Sequence, residues 1–181
     1  NAIFALTPKQ NLRFGYGRTV NRPDFRELSP FEFTNVVGGF TTAGNPNLVR
    51  AKIDNFDARW EWFPGGDQVV AASYFYKRFD KPIEVSLTAA GSGSRQSFLN
   101  ADNAINKGLE VEFRRNMGNA FKRWSRQAAA FSVQSNLTYV ESNVAIPSGS
   151  FLSDILTSKS RPLVGQSRFI YNVIVDWLKP R

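Results

Sequence analysis

Glu110 and Glu112 stand two residues apart, and paired carboxylates are a common basis for general acid–base chemistry. Their surroundings argue against that use. Leu109, Val111 and Phe113 alternate with Glu110, Glu112 and Arg114, so the two acids belong to a regularly charged strand face with no pocket signature. Nucleophilic and metal chemistry have less to draw on still. The chain has no cysteine and no histidine, which removes thiol nucleophiles, disulfides, cysteine–histidine zinc cages and every triad that needs an imidazole. Gly91-Ser92-Gly93-Ser94 has the composition of a flexible linker. With no strand–loop–helix setting and no following Lys-Ser/Thr, it is not a phosphate loop. Neither an enzyme nor a cofactor is expected.

Charge offers a second route to function. Lys and Arg number 23 against 15 Asp and Glu, a formal balance of +8. Such a balance first suggests nucleic acid. The cations, however, are scattered along the chain and form no stripe, so nucleic acid is not the expected partner.

Charged faces of this kind must be held by regular elements, and the elements are strands. Asn55 to Trp62 alternates cleanly: Phe56, Ala58, Trp60 and Trp62 share one face, and Asn55, Asp57, Arg59 and Glu61 the other. The same period predicts strands near 11–19, 108–116, 131–141 and 168–178, with a blurred one near 69–80. Asn1-Ala2 reads as a cloning remnant, so residues 3–181 carry the fold. The connections alternate in length. About 35, 27 and 26 residues separate some neighbours, against about five and 15 for the others, whereas compact domains usually use ~4–6. In an up-and-down meander the three long loops then share one rim.

Strand length adds to this. Ten residues at ~3.3 Å span about 33 Å, and a ~45° tilt brings the height to ~23 Å, close to the ~25 Å apolar band of an outer-membrane barrel. No apolar run approaches the ~20 residues of a membrane helix. The mean hydropathy of −0.31 is what alternating faces average to. Trp60, Trp62, Trp124 and Trp177 would gather near the short-turn rim, and Tyr16, Tyr76, Phe79 and Tyr139 near the other, as two interfacial girdles. Basic residues at both rims would suit lipopolysaccharide outside and phospholipid headgroups inside. Arg13, Arg59, Glu61, Glu110, Glu112 and Arg114 would face the lumen, to meet water, one another or a partner domain.

Several short motifs occur in order: Arg22-Pro23-Asp24-Phe25-Arg26-Glu27-Leu28, Gly44-Asn45-Pro46-Asn47-Leu48, Tyr74-Phe75-Tyr76-Lys77 with Pro82-Ile83, and Gly108-Leu109-Glu110. Each has a local structural use. Pro23 and Pro30 keep the first loop out of a ladder, Pro82 ends a strand, and Gly108 relieves crowding or marks a bulge. In this order and spacing the series resembles the C-terminal part of the barrel of TonB-dependent outer-membrane receptors. The resemblance implies an all-β, antiparallel meander of about six strands, cut from a transmembrane barrel of about twenty-two. It further implies a bacterial outer-membrane importer of a scarce ligand (siderophore, cobalamin, oligosaccharide or similar), driven by the TonB system through a plug domain absent from this chain. The long loops would capture ligand, with Arg22, Arg26, Phe31, Phe33 and Phe151 as candidate contacts. An isolated piece of such a wall leaves two bare edges and an apolar face, and is expected to self-associate. A passive outer-membrane channel or a soluble carbohydrate-binding β-sandwich would share much of this pattern. The sandwich would cluster its exposed aromatics instead of belting them.

Overall fold

The computed structural model describes residues 1–34, 41–65, 68–90, 93–117, 131–145 and 160–177. In chain order the elements are β1 (Ala2–Thr7), β2 (Gln10–Asn21), α1 (Phe25–Leu28), β3 (Glu32–Thr34), β4 (Thr41–Ala43), β5 (Ala51–Trp62), β6 (Val69–Asp80), β7 (Ile83–Ala90), β8 (Gly93–Asn100), β9 (Asn103–Asn116), β10 (Phe131–Ala145), β11 (Ser160–Arg161) and β12 (Phe169–Trp177). A large antiparallel sheet runs β1-β2-β5-β6-β9-β10, and the far edge of β10 takes β12 along one stretch and β11 along another. The meander thus gains β1, an edge strand outside the expected six. Its ladder begins with Ala2 opposite Phe14, inside the dipeptide whose sequence reads as a cloning remnant. β5 begins at Ala51 and β9 at Asn103, each ahead of its expected start, and β10 runs on to Ala145.

Register turns the alternation into two faces. Leu12, Trp60, Ala72, Val111, Leu137 and Tyr171 lie side by side across six strands. One residue along, on the opposite face, the row reads Asn11, Glu61, Ala71, Glu112, Asn136 and Asn172. The apolar face has no layer packed on it among the described residues: Leu109 is 56% exposed, Val175 60% and Tyr171 65%. Val144 is the largest fully buried side chain described. An exposed apolar face of this extent marks a surface that lipid or another protein covers.

The two rims differ as the loop lengths require. At one rim the β1–β2 turn meets the β5–β6 turn: Phe63 N–H donates to the Lys9 carbonyl (2.8 Å), and Lys9 Nζ to that of Pro64 (3.2 Å). Trp60 and Trp62 lie near this rim on the apolar face, and Trp177 stacks with Phe131 there (centroids 6.2 Å). Trp124 lies outside the described residues. Towards the other rim, Tyr16, Phe56 and Tyr76 form one aromatic run (4.8 and 6.3 Å), with Tyr139 against Phe169 (5.1 Å) further round. Phe79 corrects the expected girdle. It lies on the polar face, packed with Leu99 and Leu163 over Ala101, Ala104 and Val144. This, with Phe75 on the same face, is why the alternation of β6 is blurred.

The long connections are not the structureless loops that their lengths suggested. The first holds α1, β3 and β4, the second is the β7–β8 hairpin, and together they form a four-stranded sheet, β3-β4-β8-β7, with β4 parallel to β8. Gly93 and Ser94, expected in a linker, belong to β8, where Gly93 pairs with Ala90. Lys81-Pro82 does end β6, with Lys81 held at φ 55.

Candidate functional site

Arg13 and Arg59 are direct cross-strand neighbours, an arrangement that like charges disfavour. Glu61 resolves the conflict by accepting from both: Arg13 Nε at 2.7 Å on one oxygen and Arg59 Nε at 2.9 Å on the other. Arg59 spends its remaining donors on Glu112 Oε2 (2.6 Å) and Ser73 Oγ (3.0 Å). Four of the six charged residues singled out in the sequence therefore form one chain across β2, β5 and β9. Glu110 and Arg114 share the face but take no part in that chain. Glu110 and Glu112 point the same way from positions two apart on β9, and Glu112 is committed to Arg59. Among the described residues, no group of acidic side chains is arranged to hold a metal ion.

Gly108 sits within β9, not at its start, and the ladder runs through it without a bulge. A Cβ there would strike the Tyr139 carbonyl and the Phe75 ring, so the glycine lets a phenyl ring lie flat on the polar face.

The loop cluster is built from the remaining motifs. Asp24 caps α1, and Glu27 reaches back to the Asp24 N–H (2.9 Å), completing a reciprocal capping box. Gly44 packs on the carbonyls of Arg26, Glu27 and Ser29, where any side chain would collide. Asn45 then ties three pieces together. Its N–H donates to the Glu27 carbonyl (2.6 Å), its Nδ2 to the Phe98 carbonyl of β8 (3.0 Å), and its Oδ1 accepts from Asn47 N–H (3.0 Å). Asn100 clamps the hairpin base to the first loop, exchanging bonds with the Val49 N–H and carbonyl (both 2.9 Å). Of the candidate ligand contacts, Arg26 stacks its guanidinium over the half-buried Phe33 ring at 4.5 Å. Arg22 is exposed, Phe31 is 76% exposed, and Phe151 lies outside the described residues. Phe25, not singled out in the sequence, is 91% exposed on α1. The capping-box spacing Asp24-x-x-Glu27 was the signal that would have located that helix.

Among the described residues, an ionic contact joins the second and third long connections. Arg161 Nη2 lies 2.9 Å from Glu84 Oε2 and 3.3 Å from the Val85 carbonyl. Burial pushes the Glu84 carboxyl above the ordinary carboxylate range, and Arg161 offsets only part of that effect.

A meander with one bare apolar face, one ion-paired polar face, aromatic belts towards both rims and folded loops at one rim is a section of transmembrane barrel wall. The particular family follows. The chain belongs to the TonB-dependent receptor β-barrel family, whose model (TonB dependent receptor-like, beta-barrel) matches residues 1–180. Among solved structures it is similar to the siderophore receptor PirA of Pseudomonas aeruginosa (17% identity, TM-score 0.66), covering 98% of this chain and 30% of that one. It is also similar to the ferric enterobactin receptor PfeA of the same organism, solved with enterobactin (18%, TM-score 0.60) and with BCV-L6 (19%, TM-score 0.61). Each of these covers 98% of this chain and 25% of the receptor, so the chain spans about a quarter to a third of such a protein. No curated protein matches it.

Proposed function

We propose that this chain is part of the wall of a bacterial outer-membrane receptor that imports a scarce ligand at the expense of the TonB system. The observation that carries the reading is the one-residue switch between the apolar row through Trp60 and Val111 and the ion-paired row through Glu61 and Glu112. In that reading the first row meets lipid and the second lines the lumen, with Arg13, Arg59, Glu61, Glu110, Glu112 and Arg114 on its surface. Beyond the Tyr16–Phe56–Tyr76 belt the outward register positions are Arg18, Asp54 and Arg78, then Lys52 and Asp80, a charged fringe suited to lipopolysaccharide and other anionic headgroups. The loop cluster with Arg26, Phe33 and the exposed Phe25 and Phe31 would meet the ligand, and a plug domain contributed by the rest of the protein would gate its passage. The named relatives take siderophores, which makes a ferric siderophore the first ligand to try, ahead of cobalamin or an oligosaccharide. Expression of the full-length receptor in cells lacking their own should restore growth on that limiting nutrient, and only when the TonB system is intact. Equal uptake with and without the TonB system would favour a passive channel instead.

A further inference from the structure

Near the short-turn rim a charge stands on the apolar face of the wall. Arg115 follows Val111 and Phe113 along β9 at the same two-residue interval, and so shares their face. Val133 and Val175 lie level with it across β10 and β12, and the stacked Phe131–Trp177 pair is the next row towards the rim. We propose that Arg115 anchors the phosphate of an anionic glycerophospholipid, whose acyl chains run from there along Phe113 and Val173.

The protein supplies no answering charge. Among the described residues no ion pair reaches Arg115, and its Nε is covered without a hydrogen-bond partner. The connection that leaves β9 brings no acid either. Between Glu112 and Glu141 the sequence holds no Asp or Glu, against Arg114, Arg115, Lys122, Arg123 and Arg126. A guanidinium set among apolar side chains at a membrane surface is costly unless an anion meets it.

Depth and chemistry select that anion. Interfacial tryptophan marks the level of the headgroups, and Arg115 lies one row inside the Trp177 pair, where a lipid phosphate stands. With Nε turned into the protein, the donors left for a ligand are the two terminal nitrogens, a pair that matches two oxygens of one phosphate. The surplus of cations over residues 113–140 favours a lipid with net negative charge over a zwitterionic one.

The inference rests on the reading of the apolar face as the lipid face. Full-length receptor in liposomes of phosphatidylglycerol and phosphatidylcholine would be irradiated with a phosphatidylglycerol carrying a diazirine high on one acyl chain, and the labelled peptides mapped by mass spectrometry. Label should gather on residues 113–117, 131–135 and 173–177. A phosphatidylcholine with the same diazirine should label them on the order of fivefold less, a comparison made on the unaltered receptor that stands even where a variant fails to insert. Arg115→Gln should bring the phosphatidylglycerol down to the choline level, Arg115→Lys should retain part of the preference, and Arg78→Gln, at the opposite rim, should leave it unchanged. Added salt should weaken the preference, and inorganic phosphate at equal ionic strength should do no more than the salt does. Equal labelling by the two lipids, labelling unmoved by Arg115→Gln, or displacement by inorganic phosphate beyond the salt effect would overturn the lipid site and leave the transport reading untouched. An intact preference in a receptor that shows no TonB-dependent uptake would refute the transport reading instead.

Discussion

At the scale of single residues, Glu61 has the most to hold. It separates two arginines that face each other across β2 and β5, and both its oxygens are used. Glu61→Ala should therefore cost more than Glu112→Ala, which leaves Arg59 its bond to Glu61. We expect a loss of ~2–3 kcal/mol for the first and ~1 kcal/mol or less for the second, read from urea unfolding of the folded receptor in detergent. Equal losses would mean that the arginines do not depend on the acid between them. Gly108→Ala should destabilise by ~2–3 kcal/mol in the same assay, because the carbonyl of Tyr139 is fixed in the ladder and cannot yield to a methyl group. Phe75→Ala should not rescue it, since the backbone contact remains. The sidedness of these residues was legible in the sequence, because a period of two leaves no choice of face once one neighbour is placed. Which of them touch was not. Glu110 and Glu112 look equivalent along the chain, and register even puts Glu110 level with Arg59 through Ser73, yet the guanidinium reaches diagonally to Glu112, the acid beyond the small Ala71.

At the scale of elements, the strands could be read and the loops could not. A strand of the wall declares itself by alternation against a uniform apolar surroundings. The β3-β4-β8-β7 sheet has no such surroundings, and its burial runs the other way: Glu84 and Ser86 are covered while Leu87 is 44% exposed. Its parallel β4–β8 pairing joins segments far apart in sequence, which local pattern cannot report. The same blindness put Phe79 in a girdle, because its inward partners, Leu99 and Leu163, come from two different loops. The docking of α1 on Gly44 is testable at this scale. Gly44→Ala should expose the first loop to protease in intact cells while leaving the barrel's resistance to heat and detergent unchanged. Unaltered cleavage would show that the helix does not depend on that contact.

At the scale of the whole molecule, among the described residues the sheet leaves both edges unpaired and its apolar face uncovered, features that a barrel wall in lipid would satisfy together. A soluble sandwich would place its second sheet on that face, yet the second sheet here sits at one rim, against the polar side. The most direct test uses single cysteines placed in this chain, which has none of its own, with any cysteine elsewhere in the receptor replaced by serine. Single cysteines would replace residues 109 to 114 one at a time in the full-length receptor, in intact outer membranes, and be challenged with a membrane-impermeant thiol reagent and a bilayer-embedded one. The account predicts strict alternation. Positions 109, 111 and 113 should react only with the bilayer-embedded reagent, and positions 110, 112 and 114 only with the aqueous one. Uniform labelling by the aqueous reagent along all six positions would contradict it.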